Sequence, residues 1–555
     1  MRNNLTYRLL YIFIGFFLLI SLTTSAQKEE IRKEVKVVRP YEPVLSDAWK
    51  INIYPVTKDT TKYHPVIKYE IDPKPMMIPY HFKPIKPARM EGESIPRLYK
   101  NYLKLGIGNY ITPLAEISIS SLRSLDHACG FYLGSLSSLG KVKLANGKKV
   151  DGNYEDMKMM FYGKKMYRSS TIDGTLFLKR DKVLYYGYNP LLDTALSKDN
   201  IRQVFLNPGA DVHYYSTHTD STHLNFDFRL RYDYFSDKYS HYQHGVKLNA
   251  NLFKMFDGKT VGLNMDMNYF NADIYPVGKF NTVANIEPWY FQSSDEWRIK
   301  ASITGTVDAT QENTIFRLYP KIRFQFKIIP EYLMAYLGVD GGMKINDYQT
   351  IVGVNPYIKP GLHVHNTDHK MDFYVGLSGS FVPGTEYKLH GSYSLVDNMP
   401  FFVNDTNRVG NRFYVQNDDV QVARVSGEFV TQAGKKLSLR LWAEFKDYSM
   451  SYLYKPWHMP GVNASLGVRY NLMDKILVTA DMIFIGKRYV LSPDPVPDVI
   501  TLKAYPDLNL GIEYRYRKIL SFFLRFNNLA GIKYQNWNQY PTQGFFIMGG
   551  FTYSL

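Results

Sequence analysis

The chain has 555 residues, a formal net charge of +16, a hydrophobic content of 45% and a mean hydropathy of −0.28. Aromatic content is 15%, mostly 46 Tyr and 33 Phe, and Cys129 is the single cysteine. The lone cysteine excludes an internal disulfide framework, and after residue 26 no apolar run reaches the length of a transmembrane helix.

The positive charge is spread, with about +4 in residues 27–98 and about +10 in residues 99–555. Such a balance attracts anionic solutes, lipid head groups or lipopolysaccharide phosphates. Nucleic acid is not an expected partner, because no basic arm or recognition helix is visible.

Residues 1–26 read as an export address. Arg2 and Arg8 precede an apolar core at 9–22, and Thr24-Ser25-Ala26 ends on a small residue. No cysteine stands near that point, so a lipid anchor is not expected. Gln27 is the expected mature start.

Residues 27–98 hold ten of the 28 prolines. Proline at that density removes backbone donors and fixes φ, so an extended, polyproline-like segment is expected. Its apolar punctuation (Val37, Val38, Tyr41, Trp49, Tyr54, Tyr69, Tyr80, Phe82) exceeds what a linker needs. These residues are the candidate plug or partner-docking anchors, facing a lumen or a periplasmic or surface protein.

From Tyr99 the period becomes two. In 224–234, Leu224, Phe226, Phe228, Leu230, Tyr232 and Tyr234 alternate with Asn225, Asp227, Arg229, Arg231 and Asp233. The windows 261–269, 316–326 and 508–516 repeat the pattern. Alternation gives each strand one apolar and one polar face. Runs near ten residues suit strands tilted across a hydrocarbon layer, where only closed barrels pair every backbone group. The predicted fold is all-β: a transmembrane antiparallel up-and-down barrel of about 18–22 strands over 99–555, in the outer membrane of a Gram-negative envelope. Asp257-Gly258, Gly434-Lys435 and Met473-Asp474 predict tight turns, and 271–295, 397–419 and 492–502 predict long outer loops.

On the polar faces, Arg229, Arg231, Arg317, Lys321, Arg323, Lys327, Arg515 and Arg517 are candidate lumen-lining bases. Polar residues are required there in any case. His363, His365 and His369 carry donors that suit a transition metal, against the plain reading of solvated loop histidines. Asn404, Asp405, Asn417, Asp418 and Asp419 carry oxygens that suit calcium, but their order lacks the EF-hand spacing. No Gly-x-Ser-x-Gly elbow or other catalytic set is present, so neither enzymatic activity nor a cofactor is expected.

The last fifty residues resemble the end of a TonB-dependent receptor barrel. Asp507-Leu508-Asn509-Leu510-Gly511-Ile512-Glu513-Tyr514 is similar to the third-to-last strand, Asn527-Asn528-Leu529 follows the next, and 544–555 closes the chain on Leu555 where such barrels usually end in Phe. The resemblance implies a receptor-like barrel for an unidentified small-molecule or oligomer substrate. It also implies a folded plug of well over a hundred residues, whereas only about 72 mature residues precede the first strand here. Residues 35–38 are broadly like the family's energy-coupling box, or an ordinary extended run. Three readings follow: a receptor-like channel without its own plug, a passive porin, and a structural or assembly subunit.

Overall fold

The computed structural model describes residues 99–121, 124, 126–188, 197–217, 219–273, 280–362, 364–405, 409–492 and 498–555. The compact unit at 92–555 is built on one 22-stranded antiparallel sheet. Consecutive strands pair in chain order, and the first (Asn101–Gly108) closes the ring on the last (Phe546–Ser554), in register from Tyr102↔Ser554 to Gly108↔Met548. The barrel is closed, so no edge is left to pair.

Period-two patterning places the faces. In Asn225–Asp237, Leu230 is 50% exposed while Asp233 is fully buried. Around the ring Leu318, Val375 and Val425 are 62%, 61% and 63% exposed. An apolar band of that kind belongs against lipid, and the opposite, polar face lines the lumen. No helix among the described residues is long and apolar enough to cross a membrane; the strands cross it.

The two ends differ. At the end holding Asn101 and Leu555, connections are short. Asp257-Gly258, Gly434-Lys435 and Met473-Asp474 are turns there, as predicted, with Gly258, Gly434, Met473 and Asp474 at positive φ. The other end carries long connections with their own hairpins, Lys141–Lys143 with Lys149–Asp151 and Arg488–Leu491 with Val499–Leu502, and the helices Lys198–Ile201 and Tyr348–Val354.

Two predicted loops are corrected. Phe280–Ser293 is a strand inside the expected loop 271–295. The expected loop 397–419 is mostly the extended tips of Thr385–Asn404 and Phe413–Ala433, 20 and 21 residues long, which leaves 405–412 as the connection. The period is lost there because the tips are buried on both faces, with Phe401, Val403 and Phe413 fully buried. A bulge between Val396 and Met399 breaks the register at the start of these tips, where the sheet can bend. Within the third expected loop, 492–502, Val499–Leu502 is a strand paired with Arg488–Leu491. By contrast the first strand has only 8 residues.

Candidate functional site: the capped lumen

The fifth strand, Ser170–Leu184, and the sixteenth, Phe413–Ala433, stand eleven places apart in the ring of 22. With strands about 4.8 Å apart and tilted by about 40°, opposite walls of a circular barrel are about 45 Å apart. Yet Asn411 Nδ2 donates to the Tyr185 carbonyl at 2.9 Å, and the Tyr185 hydroxyl donates to the Ile358 carbonyl at 3.2 Å. Residues just past opposite walls meet only when their loops fold inward across the opening.

The meeting point is a packed aromatic cluster. Tyr185, Ile358 and Phe413 are fully buried, with Tyr186, Tyr348, Phe402 and Tyr540 nearly so. The Tyr357 and Tyr540 rings stack at 3.7 Å, and Tyr186 meets Tyr540 edge-on at 4.9 Å. The Arg412 guanidinium lies over Tyr185 at 5.1 Å and Tyr239 at 5.2 Å, and donates to the Tyr239 hydroxyl at 3.1 Å. Such cation–π pairs are worth most where water is excluded. Burial pushes the Tyr357 phenol up to about 12 and raises Tyr348 and Tyr540 well above the ordinary tyrosine value, so all three remain donors.

Several polar groups inside the cap are paired. Gln243 Nε2 donates to Asp347 at 2.8 Å while its Oε1 accepts from the Tyr348 amide at 2.9 Å, tying the helix Tyr348–Val354 to the wall. Buried Arg488 donates to the carbonyls of Asn536 and Gln535 at 2.7 and 2.6 Å. His458 Nδ1 lies 2.8 Å from the Phe402 carbonyl, and its Nε2 accepts from the Asn538 amide at 3.3 Å. Those partners require a neutral ring protonated at Nδ1. Burial, with a smaller contribution from nearby Arg488, lowers its pKa to about 3 against a hydrogen bond that favours the charged form.

Below the cap the lumen wall is laced with ion pairs. Arg229 meets Asp211 and Arg317 meets Asp368, both at 3.0 Å, Arg231 meets Asp233 at 3.3 Å, and Lys321 meets Glu287 and Asp340 at 3.6 Å. Arg323 lies over the Tyr336 ring at 5.4 Å. Lys327, Arg515 and Arg517 form no ion pair with the described residues. Of the bases named from sequence, Arg229, Arg231, Arg317 and Lys321 are ion-paired, Arg323 rests on a ring, and Lys327, Arg515 and Arg517, without an ion pair among the described residues, lie toward the short-turn end. A hollow of ≈ 1090 Å³ lies under the connection 528–545, lined among others by Trp442, Tyr534, Asp481, Asn509 and Arg440.

The anchors Val37, Val38, Tyr41, Trp49, Tyr54, Tyr69, Tyr80 and Phe82 lie outside the described residues, as does His363. His369 pairs in a strand with Gly342 and Val396, and no group of three metal-ligating side chains occurs among the described residues. The acidic set has other duties. Asp418 accepts the Tyr452 and Leu453 amides at 3.0 and 2.8 Å, Asp419 accepts from the Asn398 amide at 3.0 Å, and Asn404 accepts from Asn538 at 2.9 Å. Sequence reasoning missed the cap residues themselves. Its signal was Tyr185-Tyr186-Gly187-Tyr188, three tyrosines in four positions where a solvated loop needs none.

Fold and lumen together define a class: a large outer-membrane-type β-barrel with a loop-capped lumen. Among solved structures, the chain is similar to the FrpB iron transporter from Neisseria meningitidis, with a TM-score of 0.64 and 7% identity over 83% of this chain and 82% of that one. It is also similar to the pyoverdine receptor FpvA from Pseudomonas aeruginosa (TM-score 0.61, 10% identity, 83% and 79% covered) and to the ferric-catecholate import receptor Fiu from E. coli K12 (0.61, 9%, 83% and 82%). These proteins are TonB-dependent receptors. At such identities the likeness is one of fold. No protein-family model matches the chain, and no curated protein matches it.

Proposed function

We propose that this chain is a receptor-like transport component of the outer membrane, exported by residues 1–26, whose lumen is closed by its own loops and opened to admit a small polar solute. The observation that carries the reading is the contact between Tyr185 and Asn411, made from opposite walls of the ring. An unobstructed 22-stranded barrel would leak, so something must close it. The hollow under 528–545, with aromatic rings beside acids, amides and Arg440, is the proposed resting place of cargo. The solved barrels named above, an iron transporter and two receptors, support this direction by fold.

In the same reading residues 27–98 stand in for a plug or dock on a periplasmic or surface partner, with Trp49, Tyr54 and Tyr80 among the anchors. Lipopolysaccharide and other outer-membrane lipids cover the apolar band.

Conductance in planar bilayers tests the proposal on the full-length protein, a variant lacking 28–95, and the pair Tyr185→Ala/Phe413→Ala. The expected result is a closed wild type and a cap variant that flickers open at the nanosiemens scale. A steadily conducting wild type makes the protein a porin. If every variant stays closed, the pathway reading fails and an assembly role takes its place.

A further inference from the structure

Unneutralised bases gather where the lumen opens at the short-turn end. A hollow of ≈ 1020 Å³ there is lined by Lys104, Lys475, Arg515, Arg517, Lys518 and Arg525, against the acids Asp474 and Glu513. Only Lys104 of the six has a carboxylate partner among the described residues, Glu116 at 3.4 Å. Both acids are engaged by neutral donors: Asp474 accepts from the Asn471 amide at 2.6 Å, and Glu513 from the Ser521 hydroxyl at 2.8 Å. Arg517 and Arg525 face the rings of Tyr516 and Phe523, at 5.5 and 5.4 Å, which give no neutralising charge. Leu555, bonded to Asn101 through both backbone groups, holds the last strand at the same end.

The contrast with the rest of the wall is the argument. Elsewhere on the wall Arg229, Arg231, Arg317, Arg424 and Arg440 each have an acid within 3.3 Å, and Arg323 rests on the Tyr336 ring. A polar lining alone does not ask for five unpaired bases on one side of one opening. Like charges held together around a concave opening repel one another and focus a positive field, and a bound multivalent anion relieves both. The register break between Arg515 and Arg517 adds to the crowding by departing from strict alternation at that point of the strand.

We propose that this opening is a binding site for a multivalent anion bearing phosphate or carboxylate groups. It adjoins the capped hollow under 528–545, sharing Arg525 with it, and it rests on the receptor-like reading only for its use in the cell, since binding itself needs no open path.

The test is equilibrium binding of radiolabelled pyrophosphate to the full-length protein in neutral detergent micelles. It compares wild type, Lys475→Gln/Arg515→Gln/Arg517→Gln, and the control Lys455→Gln at the opposite end. Circular dichroism and heat-modifiable gel mobility verify that each variant is folded. The expected result is saturable binding that weakens with added salt, is about ten-fold weaker or worse in the triple variant, and is unchanged in the control. Displacement by a hexa-aspartate peptide supports an acidic chain as the source of the anion, while bound pyrophosphate that the peptide leaves in place supports a small phosphate compound. A folded wild type with no saturable binding, or a triple variant that binds like wild type, overturns the proposal. Either result leaves the conductance test of the cap untouched, so the two readings fail separately.

Discussion

His458 is held neutral by what surrounds it, and the consequence is a direction in pH. Its pKa is about 3 in the folded cap against an ordinary 6.5. Above 6.5 neither the fastened nor the loosened cap binds the proton, so pH has no effect through this group. Below 6.5 the loosened state takes up a proton that the fastened state refuses, and stability is lost progressively down to about pH 3. At pH 5 the loss is about 2 kcal/mol. Hydrogen exchange of residues 453–461 and 535–541 is expected to rise between pH 7 and 5 in wild type relative to His458→Gln at each pH. Equal profiles for the two proteins would remove His458 as the cause. Residue by residue, the sequence disclosed charges better than partners. Arg229 and Arg317 stood out as polar-face bases, but Asp211 and Asp368 lie 18 and 51 positions away, joined to them only by the register of the closed sheet.

At the level of strands and loops, alternation was legible wherever one face met lipid and the other the lumen. The windows 224–234 and 508–516 fall within Asn225–Asp237 and Tyr505–Arg517 but for one residue at the start. It failed where both faces are buried. Phe401-Phe402-Val403 has no polar alternate, and the helix Tyr348–Val354 is too short to show a period. Those same stretches build the cap, so the part of the molecule that shuts the lumen was the part sequence periodicity could not reach. The cap is held from both sides of the ring, and removing one side should suffice to undo it. Replacing 399–416 by a short Gly-Ser turn deletes Phe401, Phe402 and Phe413 together, each worth about 3–5 kcal/mol on truncation in a packed site. The barrel is expected to keep its heat-modifiable mobility while protease cuts appear in 185–201 and 345–366. Protection of those loops in the shortened protein would show that the cap stands without the long strands.

Over the whole molecule, the sheet's order and the interior charges serve different ends. Closure of the ring from Tyr102↔Ser554 to Gly108↔Met548 satisfies the backbone, while the ion-paired wall makes the lumen hospitable to water without a large net field along most of its length. The lumen is therefore shaped as a vestibule with one covered end and one charged opening. Of this arrangement the sequence disclosed the barrel, its closing strands and several wall bases. The cover was hidden, because it is assembled from residues as far apart as Val142 and Tyr540.

The uneven height of the wall reaches beyond the protein. Eight residues in Asn101–Gly108, tilted by about 40°, rise about 20 Å, short of the ~25 Å apolar band of an outer-membrane barrel. Ile107 and Ile111, 67% and 64% exposed, carry greasy surface up to that low rim. Lipid touching this sector must thin by several ångströms or the barrel must lean toward it, whereas lipid beside the 20-residue strand Thr385–Asn404 meets no such shortfall. Electron cryomicroscopy in nanodiscs is expected to show a bilayer pinched on the side where the first and last strands of the barrel meet. The protein then imposes a gradient of membrane thickness around itself, which gives neighbouring proteins of matching height a preferred side on which to gather.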